Sequence, residues 1–169
     1  MTFIVPFDGS ELAEAALVRA HEFGRVLDER VVAVTILPDD NAKYAREHGW
    51  IGPDEPFDRE AIVSALHERV TALCPAANYR HEIVDRYAST GTIANRIREI
   101  ARREEVSMVF IGSENAGRIV SSVSSVGDSI AASQAYDVVI VRQRRPSLIA
   151  KVKEASPYRK PKSDFYLPE

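Results

Sequence analysis

The stretch VVAVTIL, residues 31–37, decides the fold that the sequence predicts. It is continuously apolar and rich in β-branched residues. It lacks the alternation of apolar and polar residues that marks a strand with one solvent-exposed face. It therefore indicates a strand covered on both faces, as in a parallel sheet. Similar short apolar runs lie at 2–7, 106–112 and 137–142, while the alternating residues 78–85 are typical of a strand nearer a sheet edge.

Helical periodicity separates these strands. Apolar residues recur at steps of three and four in four segments: 12–27, about 57–73, about 91–104 and about 121–134. We expect their apolar positions, including the terminal Leu27 and Leu73, to face the core. Such alternation of strands and helices predicts an α/β, Rossmann-like fold, a three-layer sandwich around a five-stranded parallel sheet.

The connection between the second strand and the next long helix is unusually long. Residues 38–56 hold three prolines and two glycines, and we expect one short helical turn within them. Trp50 in this connection could cover a crevice or contact a partner. Just before the first helix, Asp8 with Glu11 predicts a capping box in which Asp8 caps the helix.

Composition and charge restrict the function. With 169 residues the chain predicts one domain, residues 1–142, followed by a proline-containing basic tail, residues 143–169. The tail carries a net charge of +4 and the remainder −7, and an acidic body argues against a nucleic-acid partner. No apolar run approaches the length of a membrane span. A single cysteine, Cys74, favours a cytoplasmic protein without disulfides.

Two strand ends carry residues suited to a ligand. The first strand ends at Asp8-Gly9-Ser10 and the fourth at Gly112-Ser113. In an open parallel sheet, ligands bind beyond the carboxyl ends of the strands, where the strand order reverses. If these two strands are neighbours, Asp8 could accept a hydrogen bond from a ribose hydroxyl or an adenine amine, and the glycine turn could approach phosphate. The four histidines have no metal-binding spacing, and we assign no catalytic residue and no metal site.

At these residues the chain resembles a known family, the universal stress proteins of the UspA type. The resemblance covers residues 1–142 and rests on VPFDGSELAEAAL (5–17), GTIANRIREIARREEVSMVFIGS (91–113) and SSVGDSIAASQAYDVVIVR (124–142). It implies an adenine nucleotide alpha hydrolase-like sheet of strand order 3-2-1-4-5, which places strands one and four side by side. It also implies a homodimer formed through the last strand, residues Val138, Val139, Ile140 and Val141.

The family's ATP-binding loop, G-x-x-G-x9-G-[S/T], is altered here. Gly112 matches its first glycine, but Asn115 replaces the second, and the nearest glycine is Gly117. A gap-free register of the last strand instead sets Ser124-Ser125-Val126 over the family's Gly-Ser-Val. A serine forced into a glycine conformation costs about 1–2 kcal/mol, or about tenfold in affinity. Glu114 adds a carboxylate where phosphates would lie, so AMP is easier to accept than ATP.

The resemblance assigns site roles residue by residue. Asp8 would meet the adenine or ribose, and Ile36 would pack beside the base. The altered loop would line the ribose and phosphates with Gly112, Ser113, Asn115, Gly117, Ser124, Ser125 and Val126. Simpler interpretations stay open: Asp8 as a helix cap, Gly112 as a tight turn and the serines as caps of the helix at 121–134.

Three functions are compatible with these patterns. The first is a non-catalytic stress-response protein that binds an adenine nucleotide, AMP or ATP. The second is a dimeric interaction or chaperone-like module that works without a nucleotide, which the altered loop favours. The third is a slow ATP hydrolase, for which the sequence offers no convincing base or metal cluster.

Overall fold

The structure, a computed structural model, describes residues 1–113 and 136–143. Their elements follow in the order β1 (Thr2–Pro6), α1 (Glu11–Leu27), β2 (Arg30–Pro38), α2 (Ala42–Glu47), α3 (Arg59–Leu73), β3 (Asn78–Val84), α4 (Thr90–Arg103), β4 (Val106–Gly112) and β5 (Asp137–Val141). The predicted helix at 121–134 and all but the first residue of the tail lie outside the described residues. Within them, no helix is long and apolar enough to span a membrane.

The five strands form one parallel sheet in the order β3-β2-β1-β4-β5. This confirms the predicted α/β fold and the strand order. It also confirms that β1 and β4 are neighbours, with Ile4 paired to Val109. The two strands are parallel, so their carboxyl ends lie at the same end of the sheet, as a shared ligand crevice requires. The alternating strand β3 lies at one edge of the sheet and β5 at the other.

Strand β2 shows why its sequence lacks alternation. Its side chains point alternately into two separate apolar clusters, one packed under α1 and α3 and the other under α4. The first cluster takes Val31, Ala33 and Leu37, and the second takes Val32, Val34 and Ile36. Burial on both faces confirms the layered arrangement predicted from residues 31–37.

The start of α1 differs from the prediction. Ser10 is the N-cap, and its hydroxyl oxygen accepts a hydrogen bond from the Ala13 backbone N–H at 3.2 Å. The capping box built on Asp8 and Glu11 is therefore wrong. Ser10 takes the extended backbone conformation that a cap needs, at φ −67° and ψ 158°. This frees the Asp8 side chain from the role of helix cap.

The predicted burial of two leucines is also wrong. Leu27 is 54% exposed and Leu73 is 37% exposed. Each is the last residue of its helix, so no further turn covers it. The predicted burial of the earlier apolar residues of α3 is confirmed, because Ile62, Leu66 and Val70 are buried. The short helix expected within residues 38–56 is present as α2.

Candidate functional site

A crevice of about 160 Å³ lies at the carboxyl ends of β1 and β2. It extends from the β1–α1 turn to the start of α4 and is covered by residues of the connection that contains α2. Its lining comprises Pro6, Phe7, Asp8, Val34, Thr35, Ile36, Tyr44, His48, Trp50, Thr90, Ile93, Ile97 and Ile111. The position is the one at which open parallel sheets bind ligands.

Asp8 is half-buried at the edge of this crevice. Its Oδ1 accepts a hydrogen bond from the backbone N–H of Ser10 at 2.9 Å, which fixes the side chain across the turn. A carboxylate has two oxygens and about four acceptor positions, so this one bond, among the residues that the structure describes, leaves acceptor capacity for a hydroxyl or amine. Asp8 is thus held in a fixed orientation in which it can still accept.

Ile36 is 6% exposed and forms part of an apolar floor beneath the crevice. Val34 lies beside it on β2, and Ile93 and Ile97 approach from α4. Buried Thr35 donates a hydrogen bond to the Phe7 carbonyl oxygen at 2.5 Å, which joins the end of β2 to the turn that carries Asp8. Ile36 and Asp8 thus line the same crevice. The predicted packing of Ile36 beside a base stays a prediction.

Gly112 ends β4 at the same edge of the sheet, but it packs against the first turn of α1. A Cβ atom at position 112 would lie 2.8 Å from the Leu12 carbonyl carbon and 3.1 Å from the Ala13 nitrogen. Its neighbour Ile111 lines the crevice, and Ser113 follows directly. The structure thus requires a glycine here for close packing of strand against helix. The predicted contact of Gly112 and Ser113 with phosphate stays a prediction.

The remaining site residues predicted from the sequence lie outside the described part of the chain. They are Asn115, Gly117, Ser124, Ser125 and Val126. Their contacts with the ribose and phosphates stay predictions.

Three aromatic residues from the connection that contains α2, namely Tyr44, His48 and Trp50, line the crevice, and we name them the aromatic roof. The Tyr44 and His48 rings stack with centroids 4.0 Å apart, and Trp50 meets Tyr44 edge-on at 5.5 Å. The Trp50 Nε1–H donates a hydrogen bond to the Asp8 carbonyl oxygen at 2.7 Å. Trp50 therefore lines the crevice, whereas sequence reasoning considered His48 only as a metal ligand and overlooked Tyr44.

The tautomer of His48 follows from its partner. His48 Nδ1 lies 2.9 Å from the Tyr44 carbonyl oxygen. A carbonyl oxygen can only accept, so Nδ1 carries a proton in this contact. In the neutral ring, Nε2 is then the acceptor. The crevice lining thus includes an imidazole as well as the Asp8 carboxylate.

The described lining suits a flat apolar group better than a phosphate. It includes no lysine or arginine, and aliphatic and aromatic side chains form most of it. Pockets for whole drug-sized ligands usually measure about 300–1,000 Å³, so 160 Å³ fits one ring system. In the described ranges, no group of three or more His, Cys, Asp or Glu side chains could hold a metal ion.

Two other features lie apart from this crevice. A concavity of about 190 Å³ lies between the end of α1 and the start of β2, lined largely by charged residues such as Arg25, Asp28 and Glu29. Its position at the amino ends of the strands and its solvated walls do not fit a ligand pocket. Cys74 is a buried thiol, as expected, and burial, with a smaller effect of Glu22, raises its pKa to about 11.

Solved structures of similar fold match most of this chain. A universal stress protein in complex with cAMP is 20% identical, with a TM-score of 0.54 over 84% of this chain and 97% of that one. The Archaeoglobus fulgidus universal stress protein in complex with dAMP is 18% identical, with a TM-score of 0.52 over 84% and 98%. A family protein from Burkholderia pseudomallei is 19% identical, with a TM-score of 0.51 over 84% and 96%.

At these identities the likeness to solved structures shows the fold. No curated protein matches the sequence. The model of the universal stress protein family, in contrast, matches residues 1–142, the greater part of the chain. The chain therefore belongs to the universal stress protein family.

Proposed function

We propose that this chain is a non-catalytic stress-response protein that binds an adenine nucleotide, with the base in the crevice at the ends of β1 and β2. The observation that carries the proposal is the position of Asp8. It stands at the edge of an apolar slot and keeps acceptor capacity for a ribose hydroxyl or a base amine. Ligand binding would stabilise the folded protein by mass action and so report nucleotide concentration.

The structural neighbours support this choice of ligand. Two of them were solved with cAMP and dAMP, each an adenine nucleotide with a single phosphate. A monophosphate also agrees with the altered loop, where Asn115 and the Ser124-Ser125 pair replace glycines of the family pattern. We therefore propose AMP as a better ligand than ATP. The loop residues from Gly112 to Val126 would meet its phosphate.

The direct test is to denature the purified protein, identify the small molecules released, and titrate AMP and ATP into the refolded or ligand-stripped protein by calorimetry. We expect an adenine nucleotide in near-stoichiometric amount, or tighter binding of AMP than of ATP. No released nucleotide and no heat on titration would instead support a nucleotide-independent interaction module. Steady phosphate release from ATP that Asp8→Ala abolishes would show a hydrolase.

Asp8→Asn is the matched variant for the carboxylate. The amide oxygen of asparagine can still accept from the Ser10 N–H, so the turn is retained, while the negative charge is lost. Hydrogen bonds to a charged group contribute about 1.5–3 kcal/mol, which predicts AMP binding weakened by roughly 10- to 150-fold. AMP affinity equal to that of the wild type would remove Asp8 from the site.

We also propose that β5 forms the interface of a homodimer. The strand pairs with β4 on one side and lies at the edge of the sheet. Ile140 is 42% exposed, Val138 and Val139 are half-buried, and Val141 is buried. An apolar strand edge favours pairing with a second chain, and a lysine placed on it opposes such pairing.

Light scattering coupled to size-exclusion chromatography tests the interface. We expect a dimer for the wild type and a monomer for Ile140→Lys. Val26→Lys is the control, because Val26 is 63% exposed on α1 and is not part of the strand edge. A monomeric wild type at micromolar concentration, or a dimer that Ile140→Lys leaves intact, would refute the interface.

A further inference from the structure

The crevice lining combines aromatic side chains with aliphatic ones. The aromatic roof contributes Tyr44, His48 and Trp50, and the apolar floor contributes Val34, Ile36, Ile93, Ile97 and Ile111. Aromatic side chains bind nucleic-acid bases by stacking. Aliphatic side chains can pack against the face of a ring by apolar contact alone. The two surfaces together fit a flat heteroaromatic ring.

Folding holds the roof in place independently of any ligand. At one end, Asn41 Nδ2 donates to the Arg86 carbonyl oxygen at 2.8 Å, which ties the start of α2 to the β3–α4 loop. At the other end, the Trp50 backbone N–H donates to the Ala45 carbonyl oxygen at 2.8 Å. Ala45 itself is fully buried in the core under α1 and α3.

The Trp50 side chain adds a third attachment. Its indole N–H bonds to the backbone carbonyl of Asp8, so the roof is joined to the turn that carries the candidate ligand residue. A binding surface ordered in advance does not lose conformational freedom when the ligand enters. The free energy of stacking on this roof is therefore not reduced by the cost of ordering the three side chains.

We propose that the aromatic roof makes the base, and not the phosphate, the part of the ligand that this protein recognises. This inference rests on the proposed function and names the ligand class more closely, as adenine nucleosides and their monophosphates. It predicts that adenosine binds nearly as tightly as AMP. It also predicts that ribose 5-phosphate, which has the phosphate without the base, binds poorly or not at all.

The test compares three probes: adenosine, AMP and ribose 5-phosphate. Trp50 is the single tryptophan of the chain, so its fluorescence reports directly on the roof of the wild type. Calorimetry extends the comparison to variants that lack it. For the wild type we expect adenosine and AMP affinities within about tenfold of each other, and a fluorescence change with both.

The variants separate the ring from its attachment. Base–aromatic stacking contributes about 1–3 kcal/mol per base, so His48→Ala and Trp50→Ala should each weaken adenosine binding by about 5- to 150-fold. Trp50→Phe keeps a ring but loses the bond to Asp8 and should fall between the wild type and Trp50→Ala. Tyr87→Ala is the control, because Tyr87 is 79% exposed in the β3–α4 loop and does not line the crevice.

Each outcome decides the matter. If the wild type binds none of the three probes, both the proposed function and this inference fail. If it binds AMP and ribose 5-phosphate with similar affinity, or if His48→Ala binds adenosine as the wild type does, the inference fails and the nucleotide function stands. Circular dichroism checks that each variant is folded, and if Trp50→Ala is unfolded, His48→Ala and Trp50→Phe carry the test.

Discussion

Gly112→Ala tests the packing that brings the end of β4 against α1. A Cβ at position 112 would lie 2.8 Å from the carbonyl carbon of Leu12, 2.9 Å from its Cβ, and 3.1 Å from the nitrogen of Ala13. Non-bonded carbons normally stay about 3.5–4.0 Å apart, so the strand end or the helix turn must move by roughly 0.7 Å or more. Two of the three crowded atoms belong to the backbone, so a change of rotamer does not relieve the contact.

The expected loss of stability follows from two opposing effects. Overpacking of this kind costs about 1–3 kcal/mol. Replacing glycine by alanine lowers the entropy of the unfolded chain and returns about 0.4–1 kcal/mol. We therefore expect Gly112→Ala to lower the free energy of unfolding by about 1–2 kcal/mol, which for a protein of this size corresponds to a melting temperature lower by about 2–8 °C.

Gly91→Ala is the matched control, since it makes the same chemical change without the crowding. Gly91 lies in the first turn of α4, and an added Cβ would meet nothing closer than the Ser89 Oγ at 3.6 Å. There the substitution should raise stability by about 0.5–1 kcal/mol. Urea unfolding followed by circular dichroism measures both variants. If Gly112→Ala is as stable as the wild type while Gly91→Ala is stabilised, the strand–helix contact is not close and the reasoning is refuted.

Three further perturbations address the core, the helix cap and the buried thiol. Phe110→Ala removes a fully buried ring that packs on Phe3 and should cost about 3–5 kcal/mol in urea unfolding, whereas Leu27→Ala should stay within about 0.5 kcal/mol. Ser10→Ala removes the cap of α1 and should cost about 1 kcal/mol by the same assay, with recovery in Ser10→Asp as the check. Because the pKa of Cys74 is raised from 9.0 to about 11, the folded state holds this proton more tightly than the unfolded state. Its stabilisation, on the order of 3 kcal/mol, is present below pH 9 and is lost as the pH rises through 11, so Cys74→Ala should show a flatter decline of stability over that window.

The fold could be predicted because its signals are local and agree with one another. Residues 31–37 indicate a strand buried on both faces, and the intervening helical periods allow only a layered parallel arrangement. The strand order came from the family resemblance, since periodicity alone does not order strands. The structure agrees on both points.

The cap of α1 shows where spacing alone is ambiguous. In the sequence D-G-S-E, either Asp8 or Ser10 can be assigned as the N-cap. Gly9 takes a positive φ of 78°, a conformation that glycine adopts easily, and the chain then turns so that Ser10 enters the helix as its cap. The choice depends on a backbone angle that residue types do not reveal.

Sequence reasoning reached Trp50 but not the other two residues of the aromatic roof, for a different reason. Tyr44, His48 and Trp50 meet because a short helix is followed by an irregular connection that has no period to read. The available signal was a long connection that carries three ring side chains close together. Their place at the crevice depends on tertiary packing, through the bond from Trp50 to Asp8 and the burial of Ala45.

Because Trp50 bonds to the main chain of Asp8, the main chain and the side chain of position 8 have separate roles. The indole is anchored by the main-chain carbonyl, which every amino acid possesses, while any ligand would be met by the carboxylate, which only aspartate supplies there. A substitution that keeps an acceptor for the Ser10 N–H, such as Asp8→Asn, should therefore weaken the proposed recognition and leave the anchor of Trp50 in place. Side-chain variation at position 8 would then change what the crevice can bind while the indole keeps its main-chain anchor.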